Sequence, residues 1–474
     1  MTASLYIDGA WTEGSGKRRG KVLNPATGQQ VGEVPFAEDA DLDRALLAAG
    51  KGFRVWKAMS AIERSKIMRK AAEIMRERHE TMARAITAEQ GKPIAEARIE
   101  ASLAPEHTEW NAEEGRRAYG RLIPARASDV TQLVVKEPIG PVAAFSPWNF
   151  PVNQVVRKIA SALAAGCSII VKAPEEAPTC AVELVRCFEE AGAPAGVLNL
   201  VFGVPAEISE RLISSSVIQK VSFTGSVPVG RHLGALAAKH LKPTTMELGG
   251  HAPFIVTEDV DPIAVAAAAT ASKFRNAGQV CISPTRFLVH DKVFDRFLEA
   301  FVEKAEAIKV GDGMAEGTQM GPLAQARRVD SVDELVQDAA AKGATVHVGG
   351  RRIGNHGFFY APTIVANAPL PSRIMNEEPF GPVAIVNRVT SLDEALTEAN
   401  RLPFALASYA FTNSLSHADR ITDDIEAGML TINHFGLGVP ETPFGGFRDS
   451  GHGSEGGVEG LSAYLRNKFV SRKR

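Results

Sequence analysis

Four cysteines in 474 residues, at positions 167, 180, 187 and 281, are too few and too scattered for a disulfide framework. None falls in a C-x-x-C pair and no histidine cluster accompanies them, so the patterns of a structural zinc are missing and no metal is expected. A basic surplus is missing too. The 53 lysines and arginines face 55 aspartates and glutamates, for a formal net charge of -2. Nucleic acid is thereby disfavoured as a main partner, because phosphate binding needs a basic face. The most apolar stretch, VDPIAVAAAATASKF, is alanine-rich and too interrupted to span a bilayer. The opening MTASLYIDGAW shows no basic region followed by an apolar core, so no secretory signal is read there. These absences lead to the expectation of a cytoplasmic protein without membrane or nucleic-acid partners.

What is present is more than one hydrophobic core normally serves, so two or more domains are expected. From Ala40 to about Gln90 apolar residues recur at three- and four-residue spacing, a helical pattern. Gly120 to Glu137 alternates and ends in QLVVKEP, which reads as an exposed hairpin. Short apolar runs closed by Gly, Pro or Ser follow: VAAFSPW, SIIVKAP, VLNLVFG and KVSFTGS. Alternating with helical stretches, they imply βαβ crossovers and a parallel sheet. A second series, MELGGHAPFIVT, RFLVHD, VAIVNRV, LASYAFT and GMLTIN, predicts a second α/β unit, with the boundary near Thr244. The tail YLRNKFVSRKR reads as a strand.

FTGSVPVGRHLG places Gly225, Ser226 and Gly230 after a strand and at the mouth of a helix, where backbone N–H groups and the dipole favour a phosphate. The spacing is neither the dinucleotide fingerprint G-x-G-x-x-G nor a P-loop, and an ordinary strand-to-helix turn explains it equally well. In IIVKAPEEAP, Lys172 and Glu175 lie just past a buried strand, where α/β sheets bind ligands. A solvated loop is an equal reading of that segment taken alone. FRNAGQVCIS raises a sharper question, since Cys281 follows a polar, helix-breaking segment and is either core filler or a thiol displayed at a turn.

SPWNFP, VKAPEE, FTGS, MELGG, FRNAGQVC, EEPFGP and PFGG, in this order, resemble the aldehyde dehydrogenase superfamily from about Asn24 to the carboxyl end. The resemblance implies a modified Rossmann cofactor domain, an α/β catalytic domain and a β oligomerisation arm. Its domains would be 1–119 and 138–244 for the cofactor, 120–137 for the arm hairpin, 245–440 for catalysis, and 441–474 for a return segment and last arm strand. It implies Cys281 as nucleophile, Asn149 with the Cys281 N–H as oxyanion donors, and Glu247 as general base. Trp148, Lys172, Glu175, Gly225, Ser226, Gly230, Leu248, Glu378 and Phe380 would contact the cofactor. The protein would form a homodimer or homotetramer. The other three cysteines are expected in the core.

Arg157 and Arg275 match arginines that hold the distal carboxylate in the succinate-semialdehyde branch, and Phe444 would line the substrate site. Ser454 in GHGSEGG, with INHFG at Ile432–Gly436, is similar to enzymes for 2-oxoglutarate semialdehyde. Ala173 stands where the family commonly has proline, and Ser283 stands where some relatives carry a second cysteine, so no disulfide switch is expected. A carboxylate at Glu175 suits ribose hydroxyls and opposes a 2′-phosphate, so NAD is expected over NADP. A broad-range or aminoaldehyde dehydrogenase is the alternative, with a non-catalytic protein on the same fold a remote third.

Overall fold

The computed structural model describes residues 3–474; residues 1 and 2, the start of the segment read for a signal, lie outside it. Two sheets dominate. The first has the spatial order Ala10–Thr12, Leu5–Ile7, Leu198–Val201, Ile169–Lys172, Val142–Phe145, Lys220–Thr224, Thr244–Glu247 and Gly451–His452. Its five central strands are parallel, and the sequence runs outward from Val142–Phe145 in both directions. The strand IIVK is buried at every residue, as expected of a parallel strand covered by helices on both faces. The helix Asn153–Ala165 is buried almost all round and ends at Gly166, whose φ of 94° is the left-handed conformation a helix stop requires.

The second sheet orders Thr345–Val348, Thr363–Ala366, Val383–Val389, Pro284–His290, Ala252–Val256, Ala407–Phe411 and Met429–Ile432, parallel except at its first strand. The segment MELGGHAPFIVT, read above as one strand, is two. Thr244–Glu247 pairs with Lys220–Thr224 in the first sheet, and Ala252–Val256 belongs to the second. The chain therefore changes sheets at Leu248–His251, a few residues beyond the boundary read near Thr244. Two glycines permit the passage there: a Cβ on Gly249 would meet the Glu378 carboxylate at 2.4 Å, and one on Gly250 the Cys281 carbonyl at 3.0 Å.

The helical pattern before Gln90 resolves into Asp39–Ala58, Ala61–Glu77 and His79–Gln90, followed by Ile94–Glu114. Ser60 and Glu63 close a reciprocal cap at the start of the second of these. The hairpin read at Gly120 to Glu137 is present as Arg121–Ile123 and Val130–Pro138, and the tail strand Leu465–Lys473 pairs along the whole of the latter. Hairpin and tail thus form one three-stranded arm. Among the described residues no helix is long and apolar enough to cross a membrane.

Candidate active site

The strand order of the first sheet reverses between Val142–Phe145 and Lys220–Thr224, and a crevice opens beyond the carboxyl ends of such a pair. The segment leaving Phe145 carries Trp148 and Asn149; the segment leaving Thr224 carries Gly225 and Ser226. The Asn149 backbone is held by buried charges. Lys92 Nζ donates to the Asn149 carbonyl at 3.0 Å, lies 3.8 Å from the Phe150 ring centroid and pairs with Glu100. Glu100 in turn accepts from the N–H groups of Val152 and Asn153 at 2.9 and 3.2 Å, which caps the next helix with negative charge where the dipole favours it.

Across the crevice stands the cysteine loop. Asn276, Ala277 and Gly278 have φ of 51°, 51° and 69°, three consecutive left-handed residues, of which the first two cost about 1–2 kcal/mol each. Surrounding hydrogen bonds hold this conformation. Gln90 donates to the Asn276 side chain at 2.9 Å, the Asn276 amide donates to the Asn149 carbonyl at 2.9 Å, and the Asn276 N–H donates to Glu96 at 2.8 Å. A Cβ on Gly278 would sit 2.0 Å from the Gly381 carbonyl, so the glycine is required by space as well as by φ. Cys281 emerges from this loop partly exposed, while Cys167, Cys180 and Cys187 are buried. The thiol is therefore displayed at a turn.

Asn149 donates one amide hydrogen to the Gln279 carbonyl at 3.1 Å, which fixes the orientation of its amide and leaves its second N–H for another acceptor. Glu247, at the last position of its strand, is buried with neither carboxylate oxygen hydrogen-bonded within the protein. Burial, then the neighbouring Glu455, push its pKa well above the ordinary carboxylate range, against the opposing pull of Lys158 and Arg157. Lys158 reaches Thr224 at 2.7 Å and pairs with Glu455. The Cys281 thiol is pushed up to about 12, first by burial and then by Glu378 and Glu247, while Arg157 lowers it. A thiol, an unengaged carboxylate and a free amide N–H thus meet in one cavity of 590 Å³.

The same cavity is lined by Trp148, Gly225, Ser226, Leu248, Glu378 and Phe380. A second cavity of 510 Å³ shares Trp148 and Ser226 with it and extends to Lys172 and Glu175. Such a pair of joined clefts suits a two-part ligand. Ser226 lines both cavities and begins the helix Val227–Lys239 without using its hydroxyl as a cap, which leaves that hydroxyl available to a ligand. The structure also gives each glycine a local reason. The Gly225 N–H already donates to the Glu247 carbonyl at 3.0 Å, and a Cβ on Gly230 would meet the Leu248 side chain at 2.3 Å. Gly230 thus lets the helix pack on Leu248 and lines neither cavity, whereas Gly225 lines the first. Glu175 accepts from Lys172 at 2.6 Å and from the Gly203 N–H at 2.8 Å, turned inward. Phe380 (φ 41°) meets Trp148 edge to face, 5.7 Å between centroids.

Arg157 is buried. Its guanidinium lies 4.5 Å from the Phe444 centroid, donates to the Gly438 carbonyl at 2.5 Å and to His107 at 3.3 Å, and makes no ion pair among the described residues. Arg275 is exposed and opens onto a different cavity of 290 Å³ with Ile282, Ser283, Tyr409 and Phe435. The structure does not bring the two arginines into one cavity. Sequence reasoning missed Lys92, Glu100, His107, Lys158 and Glu455. For Lys158 a signal existed: a second charge inside the otherwise apolar helical run VVRKIASAL. The others become informative only through burial. Among the described residues no group of side chains could hold a metal ion.

Residues 11–470 match the aldehyde dehydrogenase family. The chain is 47% identical over 466 residues to a putative 4-(hydroxymethyl)benzenesulfonate dehydrogenase of Comamonas testosteroni, covering 98% of this chain and 97% of that one. It is 39% identical to a succinate-semialdehyde dehydrogenase [NADP(+)] of Escherichia coli, covering 98% and 96%. The crystal structure of an E. coli NADP-dependent enzyme superposes with a TM-score of 0.98 at 39% identity, covering 100% of this chain and 98% of that chain.

Proposed function

Because the chain belongs to the aldehyde dehydrogenase family, we propose that it oxidises an aldehyde carrying a distal carboxylate to the corresponding dicarboxylate, with NAD or NADP bound across the joined clefts. The observation that carries the substrate reading is Arg157, a buried guanidinium beside the reacting groups with no carboxylate of its own. A buried cation is costly unless an anion meets it, and a carboxylate fits a guanidinium edge by two parallel hydrogen bonds.

In this reading the Cys281 thiolate adds to the aldehyde carbon and forms a thiohemiacetal. Charge then builds on the former carbonyl oxygen, where the second Asn149 N–H and the Cys281 N–H receive it. Trp148, Ser226, Glu378 and Phe380 would hold the nicotinamide half of the cofactor and Lys172 and Glu175 the adenosine half. When bound, the nicotinamide supplies the hydride acceptor. After oxidation the acyl group remains on sulfur as a thioester, and Glu247 takes a proton from the water that hydrolyses it. A carboxylate whose pKa is raised by burial is the stronger base once ionised, which suits that step.

Glu175 supports NAD over NADP, since its inward carboxylate leaves no cationic surplus beside Lys172 for a 2′-phosphate. A second reading is favoured by the relative named for a benzenesulfonate: the distal anion is a sulfonate. Initial rates for succinate semialdehyde, 4-formylbenzenesulfonate and butanal, each with NAD and NADP, separate these possibilities. At least one anionic aldehyde should exceed butanal in kcat/KM by about tenfold or more, the worth of a charged hydrogen bond. Equal use of butanal would reject the anion reading.

A further inference from the structure

We infer that His107 is the positioning residue for Arg157, so that selection of an anionic aldehyde depends on an imidazole that need not touch the substrate. The inference rests on the reading of Arg157 as the anion receptor. It begins with the helix Ile94–Glu114, whose buried residues facing its neighbours include Ala97, Ala101, Ala104 and Ala112. Small residues let it lie close to the helix Asn153–Ala165. His107 is placed between them, with Nε2 at 3.3 Å from Arg157 Nε.

The direction of that bond is dictated by chemistry. A guanidinium can only donate, so Nε2 must present its lone pair, and the single ring proton of a neutral imidazole is then on Nδ1. Nδ1 is buried and has no partner in the protein. Burial, then the adjacent Arg157, lower the pKa of the ring far below its ordinary value, which agrees with an acceptor of this kind. His107 therefore adds no charge to the site and gives Arg157 no ion pair, so among the described residues the only anions acting on the guanidinium are Glu455 and the groups of the reacting cavity, none in direct contact.

Three contacts define the guanidinium. The Phe444 ring lies against its face, the Gly438 carbonyl takes one Nη2 hydrogen, and His107 takes the Nε hydrogen. The Nε contact is the one nearest the axis about which the group turns, so without it the plane is set by Gly438 and Phe444 alone. Nη1 is left without a protein acceptor among the described residues, and it is the edge an oxyanion would approach. A side chain at 107 with no acceptor would let that edge turn and would weaken anion binding without altering Cys281, Glu247 or Asn149.

The experiment compares His107→Leu, which removes the acceptor, with His107→Gln, whose amide oxygen can replace it. The readout is the ratio of kcat/KM for the preferred anionic aldehyde to that for butanal, with KM and kcat resolved for each. For His107→Leu the ratio should fall about tenfold, chiefly through a higher KM for the anionic substrate, and His107→Gln should recover most of the loss. Should His107→Leu give no folded protein, His107→Met serves in its place. A wild type that discriminates and a His107→Leu variant that discriminates equally well would overturn this inference and leave the proposed function standing. Failure of His107→Gln to recover the ratio, with the protein folded, would assign His107 a purely steric role and likewise overturn it. A wild type with no preference for anions would overturn both.

Discussion

At the residue scale, the thiol and the carboxylate proposed to react are arranged against their own ionisation. Cys281, Glu247 and Glu378 line one cavity; burial, then the two carboxylates, raise the cost of charge on the thiol, and burial, then Glu455, raise it on Glu247. The thiol is thus held mostly protonated at neutral pH. Alkylation of Cys281 by iodoacetamide in the cofactor-free protein should accelerate by roughly tenfold per pH unit from pH 7 to 9, because only the thiolate reacts and its fraction grows in that proportion below the pKa. A rate that levels off below pH 8 would show a thiol already activated. Cys281→Ala should lose steady-state aldehyde oxidation while retaining cofactor binding by fluorescence titration; appreciable turnover would reject the covalent route. Glu175 is the third residue whose charge decides something. Glu175→Ser should raise the NADP-to-NAD ratio of kcat/KM by about tenfold, and an unchanged ratio would show that the ribose site is defined elsewhere.

At the element scale, the site depends on how loops are tied to helices that carry no chemistry. Lys92 follows the helix His79–Gln90, Glu100 lies on Ile94–Glu114, and together they hold the Asn149 carbonyl and the start of Asn153–Ala165. Both side chains are about 1% exposed, so removal of one leaves the other charged and unpaired. Lys92→Met should cost about 3–5 kcal/mol in urea unfolding and lower kcat as Asn149 shifts. In the double variant with Glu100→Gln much of that stability should return, since no orphan charge remains. A Lys92→Met protein as stable as the wild type would mean that the pair contributes nothing net. The left-handed run Asn276–Gly278 shows the same dependence, because a conformation that is locally unfavourable is held by Gln90 and Glu96 from distant helices.

At the scale of the whole molecule, the crevice lies where the carboxyl edge of one sheet meets the amino edge of the other. Glu247 ends a strand of the first sheet and Cys281 precedes the strand Pro284–His290 of the second, so neither sheet alone contains the candidate site. The three-stranded arm stands apart from both. Leu122 and Phe469 on it are 70% and 59% exposed, and we propose that another copy of the chain covers them. Ending the chain at Tyr464 would strip the strand that pairs with Val130–Pro138 over its full length. On that proposal, full-length protein should run as a homo-oligomer in size-exclusion chromatography with light scattering, and the truncated protein as a smaller species. Full-length protein that is already monomeric would remove the arm's proposed role.

The sequence by itself determined the parallel strands, since IIVK or KVSFT has no other stable place than between helices. It also determined that the helix stops before Cys281, because glycine and asparagine there do not continue one, but whether the thiol filled the core or was displayed was left for the tertiary structure. Only the tertiary structure decided that MELGG belongs to one sheet and HAPFIVT to the other. The glycines that part them look in sequence like any turn, and their meaning lies in Glu378 and Cys281 pressing on each from outside. The same holds for Arg157 and Arg275, which are equivalent letters in the sequence. Burial made one of them an unpaired cation against Phe444 and left the other exposed, and burial is a property of everything that surrounds a residue.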